Sequence, residues 1–150
     1  MHNVRATVVV LSVLVAGMWG LLTGCAGQDV DATQPALAAA LTPPIADVPI
    51  PRGFRMESRS SARVIPGSNV RIVDHYYKGH ADLLPVVRFY RDRLPENGWV
   101  LTSQQQMPGD QFVLTYTKAH EDLAVSIMPG TFDMHIRVQI MPSARAGAAR

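Results

Sequence analysis

Asp82-Leu83-Leu84-Pro85-Val86-Val87-Arg88-Phe89-Tyr90-Arg91-Asp92-Arg93-Leu94-Pro95-Glu96-Asn97-Gly98-Trp99 is the stretch on which the fold turns. With Leu83 as origin and 100° per residue, Val86, Val87, Tyr90 and Leu94 fall within about 60° on either side of it, while Arg88, Arg91 and Asp92 lie elsewhere. The spacing predicts an amphipathic helix with a charged back. Asp82 stands where an N-cap belongs, and Pro85 sits in the first turn, where a missing N–H breaks no intrahelical bond. Pro95 and Gly98 close the helix, with Gly98 suited to a left-handed turn and Trp99 set to pack back against the last turn.

A helix with one apolar stripe needs a sheet face to cover. Four β-prone runs follow at short intervals, 99–105, 111–118, 123–128 and 133–141. In them Phe112, Leu114 and Tyr116 alternate with Val113, Thr115 and Thr117, and Met134, Ile136, Val138 and Ile140 alternate with His135, Arg137 and Gln139. The short connections carry turn residues, so sequential antiparallel pairing is the economical topology. Upstream, 54–57 and 70–78 supply one or two more strands around the turn candidate Pro66-Gly67-Ser68-Asn69. The expected fold class is α+β, one helix packed on an antiparallel sheet of about five or six strands.

Phe89-Tyr90, Leu94-Pro95 and Gly98-Trp99 together resemble an FYxxxLPxxGW pattern found in small bacterial lipoprotein domains, where a helix ends before a meander. The resemblance covers about 70–141 and implies the fold. It brings no activity or site residues, and the aromatic residues read most simply as core packing.

The amino-terminal end carries a second signal. Residues 6–22 are apolar and uncharged, and they follow a short start containing Arg5, the layout of a signal peptide. The run is 17 residues, the lower limit for crossing a hydrocarbon core, and it is weakened by Gly17 and Gly20. Leu22-Thr23-Gly24-Cys25 then resembles the lipobox of bacterial lipoproteins. That resemblance implies diacylglycerol on the Cys25 thiol, cleavage that leaves Cys25 first, and a further acyl chain such as palmitate on its amine. Two or three chains hold a protein at a membrane where one holds it only marginally. Ala26 follows where an Asp would favour the inner membrane, so the resemblance points to the outer membrane, facing the periplasm, in a two-membrane cell.

The expected organisation is a signal peptide at 1–24, a lipid-anchored linker at 25–50, an α+β domain at 51–142 and a loose tail at 143–150. Residues 26–50 hold seven Ala and four Pro with three Asp and no Lys or Arg, the composition of a flexible tether. The chain is 150 residues, room for one domain, and 47% hydrophobic against 17% charged content argues against wholesale disorder. A single Cys leaves no intramolecular disulfide and no thiolate metal cluster. The net charge of +2 does not announce a nucleic-acid binder, and the export signal argues against that partner.

Sites are sparse. Four histidines remain after processing, His75, His80, His120 and His135, and none forms a ligand motif such as HExxH. His75 and His80 stand five apart beside Asp74 and Asp82, so a nitrogen-and-carboxylate site is geometrically conceivable. The serines at 58, 60 and 61 lie in a polar arginine-rich stretch without a nucleophile elbow, and no glycine-rich phosphate loop occurs. Between residues 52 and 93, nine cations face four carboxylates. If Arg55, Arg59 and Arg63 share one extended segment, their even spacing puts them on a common face, a candidate anion-binding strip for anionic lipid or an envelope polymer.

These readings converge on a lipid-anchored cell-envelope protein with a noncatalytic binding or organising domain. Its contacts are the membrane through Cys25 and an envelope protein or anionic polymer through a sheet edge or the basic strip. No catalytic residue, metal or cofactor is expected, and the sequence sets no oligomeric state. The alternative is a small envelope hydrolase or metal-binding enzyme built on His75, His80 and nearby carboxylates.

Overall fold

The computed structural model of the chain describes residues 35–66 and 71–143, all within the compact unit Gln34–Arg150. The signal peptide, Cys25, the first part of the linker, most of the 66–69 turn and residues 144–150 lie outside the described residues. The predicted helix is α1, Leu83–Glu96, with Pro85, Val86, Val87, Phe89, Tyr90 and Leu94 buried. Asp82 occupies the N-cap position through its extended backbone (φ −74°, ψ 152°), without a side-chain capping bond. Termination follows the Schellman pattern: Gly98 N–H donates to Pro95 C=O (3.0 Å) and Trp99 N–H to Leu94 C=O (3.2 Å). That geometry needs a left-handed residue, and Gly98 supplies it at φ 83°.

Seven strands form one antiparallel sheet: β1 Arg55–Met56, β2 Ser61–Val64, β3 Arg71–Gly79, β4 Val100–Met107, β5 Gln111–Lys118, β6 Glu121–Pro129 and β7 Met134–Pro142. Their order is β1-β3-β7-β6-β5-β4, with β2 also paired to β3. The α+β class and the meander are as expected, and the strand number is higher than the expected five or six. The added strand is β2, hidden in a polar stretch where all four residues are exposed, so no apolar alternation announces it.

One row of each central strand points to the core. Val73, His75 and Tyr77 of β3 align with Ile140, Val138 and Ile136 of β7. These continue to Leu123, Val125 and Ile127 of β6 and to Tyr116, Leu114 and Phe112 of β5, and all are buried. The opposite row is polar and half-buried. There Arg137 forks onto Asp74 (2.8 and 2.9 Å), and Arg59 lies 4.0 Å from the centroid of the Tyr76 ring.

The expected linker at 25–50 is corrected over its second half. Ile45, Val48 and Ile50 are 7%, 0% and 2% exposed and belong to the core, so the folded region begins well before Pro51. An Ala- and Pro-rich composition conceals these three apolar residues, which are enough to dock the strand-like Ala39–Pro51 bridge and the tight Ile45–Val48 bridge. This segment, residues 35–51, forms a strap, and it explains Phe89, which lies off the helix stripe yet is buried: Pro35, Ala36 and Leu37 line the groove beside it. At the other end, Ser143 is also folded rather than tail, since it is buried and its N–H donates to His120 C=O at 2.7 Å.

Candidate functional site

Four charged side chains fasten the strap to one end of the sheet. Asp47 accepts two bonds from the Arg71 guanidinium (2.7 and 3.1 Å) and one from Lys118 Nζ (2.8 Å). Arg71 also donates to Glu121 through Nε (3.0 Å) and its own backbone N–H (2.9 Å). Lys118 reaches the Asn97 carbonyl at 2.9 Å, placing a cation on the carboxyl end of α1, where the helix dipole favours it. Trp99 Nε1–H donates to Asp47 C=O at 3.0 Å. Strap, helix end, β3, β5 and β6 are thereby joined. Burial pushes the Asp47 carboxyl up, but Arg71 and Lys118 together hold it down at about 2. Glu121 is likewise lowered, with burial opposing and Arg71 prevailing.

Between the strap and β2 opens a cleft of about 390 Å³, in the size range of small-molecule sites. Pro44, Ile45, Ala46, Ala62, Val64 and Val73 give it an apolar lining, with Arg71 and Arg63 at its charged margin and His75 contributing a ring. His75 is 6% exposed, and its Nδ1 lies 2.9 Å from the Tyr77 hydroxyl. Burial lowers the proton affinity of the imidazole against the opposing pull of Asp74, so the ring is neutral at neutral pH. Burial also pushes Tyr77 up to about 12, so the phenol keeps its proton. A neutral imidazole has one donor and one acceptor nitrogen, and whichever role Nδ1 takes towards Tyr77 leaves the other role to Nε2. Nε2 has no hydrogen-bond partner among the described residues.

The expected sites divide differently. His75 and His80 are not brought together. Odd-numbered residues of β3 face the core and even-numbered ones face away, and five residues of strand span about 16 Å. His80 instead meets Asp133 at 3.0 Å in the open, with its side chain 80% exposed. Among the described residues no three of His, Cys, Asp and Glu cluster as metal ligands, and no helix is long and apolar enough to cross a membrane. Arg55, Arg59 and Arg63 do not share one extended segment either: Arg55 is on β1, Arg63 on β2, and Arg59 in the turn between them. Register still sets Arg55 opposite Lys78 and Arg63 opposite Ile72, on the polar face where Arg59 stacks over Tyr76. Carboxylates interleave with these cations, Glu57 on Arg59 (2.9 Å) and Asp133 on Lys78 (2.8 Å), so the strip is of mixed charge.

Sequence reasoning misses the cleft, although one signal for it exists. Val73-Asp74-His75-Tyr76-Tyr77-Lys78 alternates, and the row that holds Val73 and Tyr77 must hold His75. A family model described as START domain-like matches residues 75–143, from the middle of β3 through the end of β7. No curated protein and no solved structure matches the chain.

Proposed function

We propose that this chain is a lipid-anchored cell-envelope protein whose α+β domain binds, without catalysis, a small apolar molecule carrying one hydrogen-bonding group. The anchor rests on the lipobox-like Leu22-Thr23-Gly24-Cys25 after an apolar, uncharged run. The binding half rests on one observation: a neutral, nearly buried His75 lines an apolar cleft, and among the described residues only its Nδ1 has a hydrogen-bond partner. A ring nitrogen left open towards the cleft gives a ligand there one directional hydrogen bond in an otherwise apolar lining. A hydroxyl is the best complement because it donates or accepts, whichever tautomer Tyr77 selects. The START domain-like match supports a ligand-binding domain.

The test is displacement of a dansyl-labelled fatty acid by hexadecanol, with the full chain in detergent. Ala62 pairs with Val73 and lines the cleft, so Ala62→Trp fills it. Probe binding is expected to fall by about tenfold or more without loss of the thermal unfolding transition. His75→Phe is expected to weaken hexadecanol more than a plain hydrocarbon of the same length. Undiminished binding to Ala62→Trp, or no binding to the parent, rejects the cleft. The anchor is tested separately by intact mass of protein from host membranes, where diacylglycerol on an amino-terminal Cys25 is expected. Material retaining Met1, or a free Cys25 thiol, rejects it.

A further inference from the structure

β4 ends the sheet: β5 pairs along one side of it, and among the described residues nothing pairs along the other. Edge strands ordinarily carry protection, such as charge, proline, short length or a covering element. Val100-Leu101-Thr102-Ser103-Gln104-Gln105-Gln106-Met107 has eight residues, no charge and no proline. Its one irregularity is the register shift between Leu101 and Ser103, after which Ser103 to Met107 pair regularly with β5. Both side-chain rows are open. Leu101 is 39% exposed beside a fully buried Tyr116, and Gln104 and Gln106 are exposed beside buried Leu114 and Phe112. On the other row Val100 and Met107 are 62% and 44% exposed.

We propose that β4 is a homodimer interface, in which two copies of this chain pair antiparallel along their β4 strands. The strand is complementary to itself. A two-fold axis at Gln104 sets Gln104 against its own copy and Ser103 against Gln105, and every such side chain can donate and accept with no like charges opposed. The chain's other segments suit the edge less. Residues 26–34 carry Asp29 and Asp31, and 144–150 are Ala, Gly and Arg, which are poor in a ladder. Closure also favours a pair. The outer side of β3 is already taken by β1 and β2, so the second copy offers no further long edge and growth stops at two. This interface does not depend on the proposed ligand cleft, which lies at the opposite edge.

Sedimentation velocity of the full chain in detergent, across a range of protein concentrations, is the test. The parent is expected to shift from monomer to dimer. Gln104→Lys and Gln104→Glu, changes at an exposed residue, are each expected to raise the dissociation constant by about tenfold or more through like-charge opposition. Their circular dichroism is expected to stay that of the parent. Mixing the two is expected to restore the dimer, a result that misfolding would not give. A parent that stays monomeric overturns the proposal, as does a dimer untouched by either variant. Dimerisation only after deletion of 144–150 also overturns it, assigning the edge to the chain's own tail.

Discussion

The two edges of this sheet are finished in opposite ways. At β3 the open backbone is covered by β1 and β2, and the strap is locked over the core by Asp47, Arg71, Lys118 and Glu121. At β4 an uncharged strand is left bare, with both its rows in solvent. The charged clamp, which reaches across the strand ends from Arg71 on β3 to Lys118 on β5, serves the fold itself, while the lack of charge on β4 leaves a surface for association. One lesson is that a positive balance concentrated in 52–93 is no measure of a binding patch. Arg71 is engaged in internal closure, and Arg59 is stacked on Tyr76 and paired with Glu57.

Trp99 offers the most severe way to break this contrast, because it stands where β4 begins and bonds to the strap of the other edge. The side chain is 1% exposed and its Nε1–H holds the Asp47 carbonyl. Trp99→Ala is expected to cost about 3–5 kcal/mol in chemical denaturation, the scale of a large aromatic deletion. A loss under 1 kcal/mol, on the order of a surface change, would mean that the strap contributes little.

A paired measurement sharpens the comparison. Arg71→Met leaves Asp47 and Glu121 facing each other without their shared cation. Because the cluster is partly solvated, the expected loss is about 2 kcal/mol, below that of a fully buried pair. Gln105→Lys on bare β4 is expected to change monomer stability by no more than about 0.5 kcal/mol. Equal losses at the two edges would erase the distinction between them.

Acidity gives the mildest separation. The Asp47 carboxyl is held at about 2 in the folded chain, against an ordinary value of 3.8, and Glu121 is also lowered. Folding thus favours their charged forms, and that stability is complete above the ordinary carboxylate range and lost as pH falls from about 4 towards 2. His75 acts earlier. Its lowered proton affinity means the unfolded chain takes up the proton first, so stability falls as pH drops below the ordinary 6.5. In melting temperature against pH, His75→Gln should remove the step below 6.5, and Arg71→Met should flatten the one below 4. Gln105→Lys should move neither.

Periodicity makes the helix and the last four strands legible in the sequence, because Leu83, Val86, Val87, Tyr90 and Leu94 repeat at 3.6 and the meander repeats at 2. The strap and β2 are not legible there for different reasons: the strap is held by partners far along the chain, while β2 is exposed at all four residues and shows no alternation. Asp47 meets Arg71, Lys118 and Trp99, 24, 71 and 52 residues further on. Nothing local in Ile45, Val48 or Ile50, set among alanines and prolines, distinguishes a docked segment from a tether. The cleft inherits that opacity, since one of its walls is the strap and the other is β2.

Residues 35–50 also form the covalent path by which any pull at the amino-terminal end enters the folded unit. Such tension would arrive first at Leu37 and Ala39, then at the wall formed by Pro44 to Ala46, and last at the Asp47 clamp. Strain along residues 35–46 is therefore mechanically in series with the mouth of the cleft, and the clamp at Asp47 is the anchorage against which it is borne.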